Sequence, residues 1–191
     1  MNKHFTRVLA TAAMLGTASM LATVLPSDAA TQASSPSYTY KCWGTSADHC
    51  NVTVQAPKGW KFTKLDKFQA RFTNGTSQLR VRAIYSKYSP RSVQAQKLAA
   101  LKKVPGLKII SQSSGKKPTL VQGNAPTVAY YDITYTYRDT TGAQRLATTR
   151  YADQLGDGRA YVELTVGGRP TDKTALTQTL NHATQTVTLV G

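Results

Sequence analysis

Val128-Ala129-Tyr130-Tyr131-Asp132-Ile133-Thr134-Tyr135-Thr136-Tyr137-Arg138 carries the clearest structural signal in the chain. Ala129, Tyr131, Ile133, Tyr135 and Tyr137 alternate with Val128, Tyr130, Asp132, Thr134 and Thr136, and β-branched and aromatic residues at period two predict a half-buried strand. Asp139-Thr140-Thr141-Gly142 supplies the turn after it, and Arg145 to Tyr151 and Ala160 to Val166 then extend a meander. The last of these strands is expected to bury Ala160, Val162, Leu164 and Val166 and to expose Tyr161, Glu163 and Thr165. Gly156-Asp157-Gly158 makes the intervening turn.

Working outward, Thr171 or Asp172 caps a helix in which Leu176, Leu180, Ala183 and Val187 fall on one stripe. That helix should lie on the sheet. Upstream, Phe68 to Phe72 and Leu79 to Tyr85 flank Asn74-Gly75, which predicts a hairpin with a type I′ turn. Ser89-Pro90 offers a cap and a first-turn proline for a helix through Val93, Leu98, Ala100, Leu101 and Val104, with Arg91, Lys97, Lys102 and Lys103 on its other face, closed by Pro105-Gly106. A short strand over Leu107 to Ile110 is expected next, then a loop at Ser113-Ser114-Gly115-Lys116-Lys117-Pro118.

At the N-terminus Lys3 and Arg7 precede an apolar run from Val8 to Leu25, and Ser27-Asp28-Ala29 gives small residues at signal-peptidase spacing. Residues 1–29 are therefore expected to be a signal peptide, and the protein to be secreted. Retention as an anchor is the alternative, but Thr11, Gly16, Thr17, Ser19 and Thr23 weaken the run as a permanent span. Cleavage after Ala29 leaves 162 residues, from Ala30 to Gly191, without stable membrane insertion. Residues 30–38 are small and polar, as a flexible spacer would be, and residues 39–191 make about one domain.

The whole chain holds 24 Lys and Arg against 9 Asp and Glu. Without Lys3, Arg7 and Asp28 the mature charge is still about +14, which favours polyanions. Cys42 and Cys50 are the two cysteines, and export makes a disulfide between them the natural reading. A metal set of Cys42, Asp48, His49 and Cys50 is the alternative, yet it lacks a separated second pair of ligands. Tyr38, Tyr40 and Cys42, then Val52 and Val54, should form a hairpin beside the cysteine loop.

Three groups of residues resemble the PsbP-like family. Ala56-Pro57-Lys58-Gly59-Trp60 looks like its Pro-x-x-Trp turn, Gly123-Asn124-Ala125-Pro126 looks like the lead-in to its long strand, and the last helix runs into a short apolar tail. The likeness spans about Asn51 to Leu189. It implies an α+β chain folded as an α/β/α sandwich, with a central antiparallel sheet covered by helices, and a role in binding or sensing without catalysis in the bacterial cell envelope.

No Gly-x-Ser-x-Gly elbow and no P-loop occurs. Catalysis by histidine would rest on His49 or His182, and Glu163 is the one glutamate. The enzymatic alternative is a secreted basic hydrolase or nuclease with Glu163 as base, His182 as acid, and Arg145 or Arg150 against phosphate. We expect instead no enzyme, no cofactor and no metal, with an anionic cell-wall polymer or an envelope protein as partner. Arg80 and Arg82 share a strand face and Arg71 lies on the paired strand, so their guanidiniums are the expected ligand-binding residues. Export argues against a specific nucleic-acid partner, although Trp60 and Tyr85 would permit non-specific contact.

Overall fold

The computed structural model describes residues 36–46 and 49–190. The expected signal peptide, spacer residues 30–35 and Asp48 lie outside them.

Strands β1 (Tyr38–Trp43) and β2 (Val52–Pro57) form the expected antiparallel hairpin, with Tyr38 opposite Pro57 and Trp43 opposite Val52. The Cys42–Cys50 disulfide closes the connecting loop. Tyr38, the last residue of the expected spacer, belongs to β1, and the Ser37 carbonyl accepts from Lys58 N at 2.8 Å.

Next come β3 (Lys61–Asp66), β4 (Gln69–Asn74), β5 (Ser77–Ala83), α1 (Pro90–Leu101), β6 (Lys108–Pro118), β7 (Thr127–Arg138), β8 (Gln144–Asp153), β9 (Val162–Gly168), α2 (Lys173–Thr186) and the two-residue β10 (Thr188–Leu189). The architecture is α+β. Strands β3 to β9 build one antiparallel sheet in the order β3-β4-β5-β9-β8-β7-β6, while β1, β2 and β10 build a small second sheet with β2 in the middle.

Alternation along the strands decides which side meets which partner. Phe72, Leu79, Val81, Leu164 and Val166 point to one side, where they form a single core with Val52 and Val54 of β2 and with Leu176, Leu180 and Ala183 of α2. All three α2 residues are at most 3% exposed, and burying each leucine contributes about 2 kcal/mol. The small sheet and α2 thus share the inner side of the large sheet. Helix α1 packs on the alternate residues of β7 and β8, where Leu101 approaches Tyr135 and Ala147. Ser89 caps α1 by accepting from Ser92 N, and Pro90 takes the first helical position, as the sequence predicts.

Several readings need correction. Residues Ser113–Pro118 are the second half of the edge strand β6, paired with β7 from Ser113↔Asp132 to Pro118↔Thr127, and not a loop. Lysine and proline are tolerated at a sheet edge because one side of the strand faces solvent. Gly115 is needed there, because a Cβ at that position would lie 2.6 Å from the Tyr130 hydroxyl. Strand β3 was unforeseen. The hairpin turn sits one residue later than expected: Asn74 pairs with Ser77, so Gly75 and Thr76 are its central residues. Only Gly75 has positive φ, +55°, which is the type II′ requirement and not the type I′ one. Helix α1 stops at Leu101, and its sheet side carries Gln94, Lys97 and Leu98 while Ala100 is exposed. Tyr161 is buried rather than exposed.

Candidate functional site

The twelve residues of α1 pack on β7 and β8, and among the described residues no helix packs on the outer side of β4 and β5. The sequence-predicted arginines lie on this open face. Arg71 of β4 stands directly opposite Arg80 of β5, and Arg80 in turn faces Thr165 of β9. Arg82 is opposite Gln69 on one side and Glu163 on the other. All three arginines are exposed.

Side chains from six strands and α1 enclose this face as a groove of about 390 Å³, lined among others by Arg71, Arg80, Lys97, Tyr135, Thr149 and Glu163. Arg80 donates through Nε to Gln69 Oε1 at 2.8 Å and through Nη2 to the same oxygen, which fixes the guanidinium without neutralising it. Lys97 adds a further cation from α1. Glu163 forms none of the four ion pairs among the described residues, and it lies beside the Tyr151 hydroxyl, which burial and the adjacent carboxylate push far above the ordinary tyrosine range. Two arginines directly opposed across a strand pair repel each other, so the arrangement gains from an anion placed between them.

The acidic residues explain why the groove stays positive. Asp153 accepts from Gly156 N and Gly158 N and so ties its own turn. Asp139 is bound to Thr141 and Arg145, which hold its carboxyl down at about 2, and Asp157 is held to about 2 by Arg159 and the Tyr161 hydroxyl. Asp66 accepts from Phe68 N and Gln69 Nε2, and Asp172 pairs with Arg169. Local demands consume these carboxylates.

Arg150 belongs to a different environment. It is 3% exposed, donates from Nε and Nη2 to the two Asp132 oxygens at 2.8 Å each, reaches Asn181 and Thr184 of α2 through Nη1, and lies 3.6 Å over the Tyr130 ring. With Arg145 tied to Asp139 at 2.7 Å, neither arginine of the enzymatic alternative is free to meet a phosphate.

The catalytic pairing itself is not assembled. Glu163 faces the outer groove, whereas His182 stacks on Tyr38 at 3.5 Å and contacts Gln55 Oε1 at 2.9 Å, on the small-sheet side. Burial lowers the His182 pKa. Among the described residues no cluster of three or more histidine, cysteine or carboxylate groups has metal-binding geometry, and the two cysteines are oxidised to one another. No helix among these residues is long and apolar enough to cross a membrane.

No protein-family model matches the chain, and no curated protein sequence does. Solved structures are informative. LpqN, involved in cell envelope biogenesis of Mycobacterium tuberculosis, aligns over 81% of this chain and 92% of its own with a TM-score of 0.50 and 12% identity. This chain shares its fold. The Ran-binding protein Mog1p of Saccharomyces cerevisiae aligns over 82% of this chain and 97% of its own, with a TM-score of 0.48 and 9% identity.

Alternation places Arg71, Arg80 and Arg82 on this outer face, and of the three Arg71 and Arg80 line the groove. Lys97 was assigned to the solvent face of its helix, and Tyr135 and Thr149 gave no signal, because their place beside Arg80 depends on β5 pairing with β9 rather than with β6. The spacing Gln94, Leu98, Leu101 with Lys97 between them would have placed Lys97 on the sheet side.

Proposed function

We propose that this chain is an exported, non-catalytic binding module of the bacterial cell envelope, a PsbP-like domain in the α/β/α sandwich arrangement, whose outer groove captures anionic wall polymers. One observation carries the reading: Arg71 and Arg80 are opposed in register on the face that α1 leaves open, with Lys97 beside them and no ion pair to either arginine. A polyanion brings repeated charges at low entropic cost and relieves that repulsion, so binding is fast and salt-sensitive. The involvement of LpqN in envelope biogenesis supports the compartment. The disulfide supports an oxidising location.

The test is co-sedimentation of the oxidised mature protein with isolated bacterial cell walls, with and without their anionic polymers, across a salt series. Retention that falls with salt and with polymer removal, and that is weakened by Arg71→Ala and Arg80→Ala together, is the expected result. Retention indifferent to both treatments would leave an envelope protein as the partner.

A further inference from the structure

Strand β6 ends the large sheet, and among the described residues only β7 pairs with it. An edge strand turns every second N–H and C=O outward, and no other backbone segment among the described residues bonds to those of residues 111–117. Residues 110–114 are all exposed. Because successive side chains of a strand point to opposite faces, neither face of β6 is packed there. Both ends of the strand are guarded against indiscriminate pairing, by the register shift between Ile109 and Ser111 and by Lys116, Lys117 and Pro118. Residues 111–115 between them carry no such device.

A recess lies on each side of this window. On the inner side Ser111 and Ser113 open on a cavity of about 210 Å³ against α2, which has Leu146, Leu176 and Leu180 in its wall and Lys173 beside them. On the outer side Gln112 and Ser114 open on a shallow basin of about 400 Å³ beside α1, lined by Arg91, Gln94 and Tyr131. The surroundings are cationic: Lys108, Lys116 and Lys117 belong to β6, Arg91 to α1 and Lys173 to α2, and none of them joins an ion pair among the described residues. Asp132 is the one carboxylate in either recess, and Arg150 holds both its oxygens.

We propose that residues 111–117 of β6 are a strand-addition site for an acidic, extended segment of a partner protein. The incoming backbone takes up the outward N–H and C=O groups and lengthens the sheet by one strand. Its side chains alternate between the two recesses, so an apolar residue enters the inner cavity while its neighbours bring carboxylates to Arg91 and to the lysines at the strand end. A second copy of this chain would bring lysines against lysines, and the guard that repels it attracts an acidic strand. Neither recess shares a lining residue with the arginine groove, so the inference stands apart from the polymer reading.

The probe is a short peptide alternating glutamate and valine, compared with the same peptide N-methylated at every residue, which keeps the charges and loses the N–H donors. Affinity for the oxidised mature protein is measured by calorimetry at low salt, and amide hydrogen exchange locates the contact. The unmethylated peptide is expected to bind at least about tenfold more tightly and to slow exchange over residues 111–117. Arg91→Glu should weaken it about threefold to tenfold, with Tm recorded for the variant. The comparison of the two peptides needs no variant at all. Equal binding of both, protection on β4 and β5 in place of β6, or no binding of either to wild type would overturn the proposal. So would protection of β6 that appears without peptide as protein concentration rises, which would assign the edge to a second copy.

Discussion

Arg150 and Arg80 lie on neighbouring parts of one sheet and lead opposite lives. Arg150 is enclosed between β8 and α2, with both Asp132 oxygens, two α2 side chains and an aromatic ring around it. Arg80 stands on the open face, opposite another arginine, and its one recorded side-chain partner is the neutral Gln69. The difference lies in where the carboxylates went. A buried guanidinium must be paired to be tolerated at all, whereas an exposed one left unpaired is available to something outside the chain.

The largest effect expected on either side of this contrast is from breaking the buried pair. Arg150→Ala leaves Asp132 desolvated and alone, and should cost about 3 to 5 kcal/mol in urea denaturation. An Arg150→Met, Asp132→Leu double variant should recover most of that loss. If the single variant is nearly neutral, the two arginines are not of different kinds.

Next comes the cysteine loop, which pins β1 to β2 at a distance from both arginines. Cys42→Ser with Cys50→Ser should lower stability by roughly 2 to 3 kcal/mol, and the effect of reductant on wild type should match it. Groove binding measured on the folded fraction should not change.

On the exposed side the sign reverses. Because Arg71 and Arg80 repel across the strand pair, Arg71→Ala should leave stability within about 0.5 kcal/mol of wild type or raise it slightly, while weakening polymer capture and flattening its salt dependence. A marked loss of stability in denaturant would make the pair architectural after all.

The smallest effect concerns His182. Burial lowers its pKa in the folded chain, so between that value and the ordinary one near about 6.5 the unfolded state holds more protons. Stability is then full above the ordinary value and declines as pH falls through the window below it. His182→Gln should remove that slope in a pH series of thermal melts and leave groove binding untouched.

Much of this was legible in the chain. The alternation of Val128 to Arg138, the stripe of Leu176, Leu180, Ala183 and Val187, and the Ser89-Pro90 start are local patterns, and the strands and helices follow them. Residues Ser113–Pro118 misled because Gly, Ser, Lys and Pro mark both a loop and a guarded edge strand, and only the pairing with β7 separates the two. The pairing of Asp132 with Arg150 could not be read, since it needs the register of β7 against β8. Arg71, Arg80 and Arg82 could be placed on one face by alternation alone, but whether a helix covers that face depends on where α1 lands.

The described chain enters the fold at Pro36 and passes at once into β1, on the inner side of the large sheet, away from the outer groove. A biotin or bead attached upstream of that point would leave the arginines facing the bulk liquid. Immobilisation by the amino end therefore presents the groove in a usable orientation on a sensor chip, whereas coupling through lysines would engage Lys97 and mask it.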